Sequence, residues 1–226
     1  IASAEHSKRI DRRAQEEFGL SSQVLMEEAG TVVYREILRR FPDCSSMTIF
    51  CGKGNNGGDG LVVARLAAFD GYSVDCLVCA KKHDMSEESK AQVARLKQSN
   101  LEPVFIDDDD YAVSIKNLDW ADLIVDALLG TGTKGEVAEP YRSVIEAMNA
   151  SGKPIVSIDI PSGIDTDTGH ELGTSVKATY TVSIGLPKPF LFLDAGLENA
   201  GYWSVEPINF PEELLNEETD CLFVEQ

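Results

Sequence analysis

Short apolar runs alternate with amphipathic segments through the middle of the chain, and this alternation restricts the fold more than any other feature. The apolar runs cover residues 47–51, 74–80, 104–106, 123–128 and 155–160, and the amphipathic segments between them cover 61–69, 87–98 and 141–148. Such alternation is typical of a parallel sheet with helices on both faces, and uninterrupted apolar strands suit burial on both sides. The sequence therefore predicts a Rossmann-like three-layer α/β/α sandwich with a mostly parallel sheet.

The N-terminal part of the chain predicts a helical arm outside this sandwich. Residues 3–18 carry many charges and few apolar side chains and end at Gly19, which predicts an exposed helix with a glycine C-cap. Ser21 or Ser22 can cap a second helix, whose apolar positions recur at helical spacing through Arg39.

After Gly169 the pattern becomes rich in strand-like segments, at residues 179–184, 190–193 and 202–208. They are predicted to form the far edge of the same sheet. A chain of 226 residues with one such pattern is expected to be a single domain, with the arm over residues 1–41, the α/β core over 47–210 and a tail or junction over 211–226.

The charge balance limits the ligands that the chain can bind. With 38 acidic and 20 basic side chains the net charge is −18, which opposes sequence-independent binding of nucleic acid or of an anionic membrane. An anionic ligand must therefore be held locally, by backbone N–H groups and a few lysines. No run of about 18 apolar residues is present, so no membrane span is predicted.

Cellular location and thiol state are also expectations at this point. The cytoplasm is the expected compartment, or an organelle if a targeting peptide has been removed, because the chain opens at Ile1 without a Met. Five cysteines, three of them in apolar runs, favour reduced core thiols over a redox pair at Cys76 and Cys79.

In open parallel sheets, ligands bind beyond the carboxyl ends of the strands, and the first such turn here is rich in glycine. Its sequence is Gly52-Lys53-Gly54-Asn55-Asn56-Gly57-Gly58-Asp59-Gly60. Glycines let the backbone approach a ligand closely, and the start of the following helix directs N–H groups at an anion. The carbonyls of Asn55 and Asn56 could also ligate a hard monovalent cation. The alternative is a tight turn in which Asp59 caps the helix.

The second turn follows the strand at residues 123–128. Asp126 closes this apolar strand, where an ionised carboxylate is costly unless it is paired or bound to a cation. The next residues supply N–H groups, hydroxyls and one ammonium, which suit phosphate oxygens: Gly130, Thr131, Gly132, Thr133, Lys134, Gly135 and Glu136. Taken alone, the segment could equally be a flexible surface loop.

The third turn follows the strand that ends at Ile160. Asp159 lies at the end of that apolar run, and Pro161 and Gly163 fix a bend that could present it to a bound ligand. A carboxylate held there could act as a general acid or base. The alternative is that Asp159 only caps the turn.

Together these segments resemble the NAD(P)H-hydrate epimerase family, also called the YjeF N-terminal domain. The resemblance covers nearly the whole chain, and the motifs that carry it are Asp11-Arg12-Arg13-Ala14, Leu25-Met26-Glu27, the Asn-Asn-Gly-Gly-Asp-Gly turn, Val125-Asp126-Ala127 with Gly130 and Lys134-Gly135, Asp159-Ile160-Pro161-Ser162-Gly163, and Gly185-Leu186-Pro187-Lys188-Pro189. One departure is Glu28, which stands where the family usually has an asparagine.

The resemblance implies an isomerase that interconverts the R and S hydrates of NADH and NADPH, so that a separate ATP- or ADP-dependent dehydratase can restore the S form. It implies Asp159 as the catalytic acid and base, and a potassium ion bound by Asn56, Asp126 and Ser162. It also implies a homodimer. The hydrate-binding positions that it implies are Asn55, Asn56, Gly57, Gly58, Asp59, the residues Gly130, Thr131, Gly132, Thr133, Lys134, Gly135 and Glu136, and Asp159.

Two other functions stay open at this stage. Members of the family include non-catalytic scaffold or binding proteins, although the four residues Asn56, Asp126, Asp159 and Ser162 favour catalysis here. The chain could also be half of a bifunctional enzyme, because residues 211–226 could be an ending or a junction. The apolar segment at 190–193 could serve a dimer interface or the chain's own core.

Overall fold

The computed structural model describes residues 1–106 and 118–215, and it contains one seven-stranded sheet. The strands are β1 (Ser46–Cys51), β2 (Ser73–Val78), β3 (Val104–Phe105), β4 (Leu123–Ala127), β5 (Ile155–Ile158), β6 (Tyr180–Ile184) and β7 (Tyr202–Glu206). Their order is β3-β2-β1-β4-β5-β6-β7, and every neighbouring pair is parallel. The predicted parallel sheet is confirmed. Because the order reverses between β1 and β4, the ligand crevice of such a sheet is expected beyond their carboxyl ends.

Helices cover both faces of this sheet. They are α1 (Ala4–Phe18), α2 (Ser22–Arg40), α3 (Asn55–Phe69), α4 (Glu87–Gln98), α5 (Tyr141–Ala150), α6 (Asp194–Asn199) and α7 (Glu212–Leu215). Side chains of α2, α3 and α4 pack on one face, around Ile49 and Val125. Val144 and Met148 of α5 pack on the other face, against Phe50 and Ile124. The molecule is therefore the predicted three-layer sandwich.

The helical arm is attached to the sandwich through one face of α1. Ser3 caps the helix by accepting a hydrogen bond from the His6 N–H, and Gly19 ends it at φ 69°. Ile10 and Ala14 are buried against residues of α2 and of the segment that follows β7. The arm is therefore less exposed than its charge density predicted, since a buried stripe at i, i+4 spacing docks it on the core.

The predicted strand at residues 190–193 is wrong. The segment Pro189–Phe192 is a short 3₁₀ helix, and Phe190 and Leu191 are fully buried with Ile160 and Ile164. A short apolar run does not distinguish a buried strand from a buried turn, and a proline at its first position suits a helical turn. Phe190 and Leu191 thus serve the chain's own core.

Two more predictions from the sequence concern membrane spans and the state of the cysteines. No helix within the described ranges is long and apolar enough to cross a membrane. Cys44, Cys51, Cys76 and Cys79 are free thiols, and the last three are buried. Cys221 and the run Asp107–Asp110, which the sequence suggests is a solvated turn, lie outside the described residues, as does most of the 211–226 tail.

Candidate functional site

A cavity of about 780 Å³ lies at the carboxyl ends of β1, β4 and β5, where the switch in strand order predicts a ligand. Its walls contain most of the residues predicted for substrate binding: Asn55, Asn56, Asp59, Gly130, Thr131, Gly132, Thr133, Lys134, Glu136 and Asp159. Gly57, Gly58, Gly135, Asp126 and Ser162 do not line it. Residues of α1 and of the segment after β6 also contribute, so the cavity has walls that the three turns alone did not predict.

Part of the glycine-rich turn serves packing, because α3 begins at Asn55 and crosses β1 very closely. A Cβ on Gly57 would lie 2.0 Å from the Gly52 carbonyl oxygen, and one on Gly60 would lie 2.5 Å from the Ala127 Cβ. The N-cap residue is Gly54, which has no side chain with which to cap the helix. The predicted alternative, a cap by Asp59, is therefore wrong, and Asp59 lies one turn inside the helix.

Asn56 links the first turn to the second. Its Nδ2 donates a hydrogen bond of 2.9 Å to the Leu129 carbonyl oxygen. A Cβ built on Gly130 would lie 3.1 Å from the Cβ of Asn56. The Oδ1 atom is buried and has no hydrogen-bond partner among the described residues. A buried amide oxygen normally has a hydrogen-bond partner. This oxygen is therefore suited to coordinate a bound cation.

Asp126 links the second turn to the third and is completely buried. Its carboxylate accepts hydrogen bonds from Ser162 Oγ at 2.6 Å, Ser162 N at 2.9 Å, Ser157 Oγ at 2.8 Å and Leu128 N at 3.2 Å. Burial raises the pKa of Asp126, whereas the hydrogen bonds from Ser162 act in the opposite direction. Four donors compensate the removal of this carboxylate from water.

Three residues that the resemblance assigns to a cation, Asn56, Asp126 and Ser162, meet around Leu129. Asn56 Nδ2 donates to the Leu129 carbonyl, and Ser162 Oγ accepts from the Leu129 N–H at 2.8 Å while it bonds Asp126. Amide, hydroxyl and carboxylate oxygens are the donors that hard cations prefer. These oxygen donors and the unpartnered Asn56 oxygen are thus compatible with a monovalent cation beside the cavity, next to Asn56.

Asp159 stands at the end of β5 in a backbone conformation that is rare for residues other than glycine, with φ 66°. Its N–H donates to the Val182 carbonyl at 2.8 Å, and its Oδ1 accepts from the Ile184 N–H at 2.9 Å. The Lys188 ammonium also donates to Oδ1. Neighbouring strand β6 and the segment after it therefore hold the Asp159 carboxylate at the cavity wall.

Lys188 is a site residue that the sequence did not identify as functional. Only 3% of it is exposed, and its Nζ also donates a hydrogen bond of 2.6 Å to the Ile184 carbonyl. Buried lysines need a partner of opposite charge, and Asp159 provides it. Its position in the motif of residues 185–189 was the available signal, but no pattern in the sequence placed that motif beside Asp159.

Asp11 and Asp59 bring two more carboxyls to the cavity. Desolvation by the cavity walls and then the negative charge of Asp159 raise the pKa of Asp11 to about 6, against the opposing effect of Lys188. Desolvation also raises the pKa of Asp59 well above its usual range, with the charges of Asp159 and Asp11 adding to the effect. Three acidic groups and one ammonium therefore share this part of the site. Strongly shifted carboxyls in a cleft are typical of functional sites.

Lysines surround the second turn. Lys134 lines the cavity, but its Nζ is 3.1 Å from Asp165 Oδ2 and most of its side chain is exposed. Lys8 of α1 approaches the same turn, and its Nζ would lie 3.5 Å from a Cβ built on Gly132. The arm thus supplies a second ammonium to a loop that the sequence provided with only one.

Comparisons with known proteins agree on one family. The family model described as YjeF-related protein N-terminus matches residues 22–190. The NAD(P)H-hydrate epimerase of Lentilactobacillus buchneri is 36% identical over 90% of this chain and 92% of its own. The crystal structure of the yeast protein ynu0 (YNL200c) superimposes with a TM-score of 0.79 at 27% identity and covers 98% of this chain and 96% of its own.

Longer relatives match as well. The bifunctional NAD(P)H-hydrate repair enzyme Nnr of Thermofilum pendens is 36% identical over 96% of this chain. The chain spans only 41% of the length of that relative. The similarity therefore concerns one portion of the bifunctional protein.

Proposed function

The chain belongs to the YjeF-related protein N-terminus family, and on that premise we propose that it is an NAD(P)H-hydrate epimerase, an isomerase that interconverts the R and S hydrates of NADH and NADPH. The observation that carries the proposal is the Asp159 carboxylate, held by Lys188 at the wall of a cavity at the strand-order switch. Such a position suits a dinucleotide whose reactive ring reaches Asp159.

The chemistry requires the bond between C6 of the nicotinamide ring and its hydroxyl to break and re-form, because the two hydrates differ only at C6. Asp159 donates a proton to the departing hydroxyl, which leaves as water with the bonding electron pair. The ring nitrogen stabilises the resulting cation with its lone pair, and addition of water followed by loss of a proton completes the exchange. A carboxyl within reach of the C6 oxygen can give or take a proton on the ring face that it addresses.

The rest of the dinucleotide has a matching surface. The uncapped start of α3 and the turn from Gly130 to Glu136 present N–H groups and hydroxyls at the cavity, which suit a pyrophosphate. Lys134 and Lys8 add ammonium groups there, although Asp165 already pairs with the former. In a chain of net charge −18, such local donors are what an anionic substrate requires.

Potassium is the proposed cofactor, and its proposed ligands are Asn56, Asp126 and Ser162. The unpartnered Oδ1 of Asn56 and the oxygen-rich donor set support this assignment. A bound ion would neutralise the buried Asp126 carboxylate and tie together the three turns that form the cavity. The chain's own hydrogen bonds around Leu129 already join these turns.

We also propose a homodimer, cytoplasmic location and cooperation with an ATP- or ADP-dependent dehydratase. The dimer is supported by the exposed apolar residues Leu197, Tyr202 and Trp203, which lie on α6 and the edge strand β7. The dehydratase link is supported by the bifunctional relatives. Sedimentation of the protein at micromolar concentration tests the dimer directly.

The experiment is a coupled assay in which an S-specific dehydratase consumes a mixture of R and S hydrates. The wild-type protein should cause the R hydrate to disappear, and Asp159→Asn should slow this by at least about 100-fold. Asp194→Asn is the matched control, because Asp194 is also an aspartate at positive φ but pairs with His170 away from the cavity. Binding of the hydrate without turnover by the wild type would instead favour a non-catalytic scaffold.

A further inference from the structure

Asp11 reaches the cavity from a different element than Asp159 does. It lies on α1, outside the sheet, and the arm is anchored by the Ala4 N–H on Asp167 Oδ1 at 2.7 Å and by the Ala2 N–H on the Pro187 carbonyl at 2.8 Å. Both carboxyls line the cavity, and their charges act on one another. The cavity therefore has an acidic group on the arm and another at the end of β5.

The reaction creates a need for two such groups. Inversion at C6 requires the hydroxyl to leave from one face of the ring and water to add to the opposite face. A carboxyl fixed by Lys188 and the Ile184 N–H addresses one face of a ring bound in one orientation. Proton transfer on the other face then needs a second group, which must come from another wall.

We propose that Asp11 is a second catalytic carboxyl, which exchanges a proton with the C6 oxygen on the ring face opposite to Asp159. The inference rests on the proposed epimerase function and deepens it. In one direction, protonated Asp11 gives its proton to the leaving hydroxyl, the C6–O bond breaks and water departs. Asp159 then accepts a proton from the water that bonds to C6, and the two residues exchange roles for the opposite epimer. Solvent restores the starting protonation states.

The surroundings of Asp11 suit this role. Asp159 at the end of β5 and Lys188 after β6 act on the Asp11 charge, and Asp11 in turn acts on Asp59 of α3. Lys188 binds Asp159 directly, whereas the Asp11 side chain makes no hydrogen bond within residues 1–106 and 118–215. Its carboxyl can therefore gain and lose a proton without breaking an ion pair. A pKa of about 6 keeps both forms accessible near neutral pH.

The test compares Asp11→Asn with Glu5→Gln, a change of another acidic residue on the same helix that does not line the cavity. Turnover of the R hydrate is measured against pH, and NADP⁺ binding is measured in parallel. Asp11→Asn should lower kcat about 100-fold, abolish the pH dependence near 6 and change the NADP⁺ Kd less than about threefold. Glu5→Gln should behave as the wild type.

Several outcomes would overturn the inference. One is a kcat of Asp11→Asn within about threefold of the wild type. The others are a loss of NADP⁺ binding as large as the loss of kcat, which indicates a binding role, and loss of the cooperative melting transition, which indicates a folding role. If the wild type itself turned over no hydrate, the proposed function would fail together with this inference. An active wild type with an equally active Asp11→Asn variant would overturn the inference alone.

Discussion

The Lys188 ammonium donates hydrogen bonds both to the Asp159 carboxylate and to the Ile184 carbonyl, so one buried cation joins the end of β5 to the end of β6. Asp159 holds a positive φ at this junction. The pair therefore has two roles, since it satisfies the charge of a lysine that is 3% exposed and fixes the position of the proposed catalytic carboxylate.

Loss of this pair should be costly. Lys188→Met leaves the Asp159 charge without its partner in a largely desolvated position, and we expect it to lower the free energy of unfolding by about 3 kcal/mol. The double variant with Asp159→Asn should lose less than the sum of the single losses, because it removes both charges. Urea denaturation of the four proteins measures this coupling. Additive losses would show that the two residues act independently.

A potassium ion bound at Asn56 should stabilise the folded chain. Replacing choline by potassium at about ten times its Kd should raise the Tm of the wild type by about 4 °C, because only the folded state has the site. Asn56→Ala should abolish this difference, whereas the adjacent exposed Asn55, changed to alanine, should retain it. Equal potassium responses in both variants would argue against Asn56 as a ligand.

The glycines of the first turn should differ in their tolerance of a side chain. Gly57→Ala forces a Cβ toward the Gly52 carbonyl, and we expect a loss of about 3 kcal/mol in the free energy of unfolding. At Gly54, which has a negative φ, a Cβ would meet no atom of the described residues within 4 Å, so the loss for Gly54→Ala should stay under about 1 kcal/mol. Thermal melts distinguish the two, and similar losses would contradict the packing role of Gly57.

Asp11 should reduce stability at neutral pH. Its pKa is about 6 in the folded state and about 4 in an unfolded chain, so the folded state binds more protons between these values and stability falls as pH rises through them. Asp11→Asn removes this penalty and should stabilise the protein above pH 6, by on the order of 1 kcal/mol because the side chain contacts solvent. The gain should vanish below pH 4. A destabilised variant at pH 7.5 would contradict this assignment.

Local patterns were sufficient to predict the sheet and its three turns. Continuous apolar runs indicated five of the strands within a few residues, and the strand-like segments after Gly169 indicated the other two. The polar residues at the ends of the apolar runs indicated Asn56, Asp126 and Asp159. The strand predicted at residues 190–193 was wrong because four apolar residues have no periodicity that separates a strand from a buried turn. The extent of α3 also escaped prediction, since glycines rarely begin a helix without a packing reason.

The remaining part of the site depends on contacts between distant segments. Lys188, which follows β6, reaches Asp159 at the end of the neighbouring strand β5. Asp11 and Lys8 enter the cavity only because Ile10 and Ala14 dock α1 on the core. No local pattern records where an amphipathic arm will pack. Likewise, the roles of Gly57 and Gly60 became clear only from the distances between α3 and the strands beneath it.

The most direct test of the account follows the two hydrates themselves. Pure S hydrate of NADH is incubated with the protein in potassium buffer, and the R and S forms are separated chromatographically over time. We predict that the wild type brings the mixture to the same R to S ratio from either pure epimer, at least about 100-fold faster than Asp159→Asn. Interconversion by the wild type at the rate of buffer alone would contradict the epimerase function.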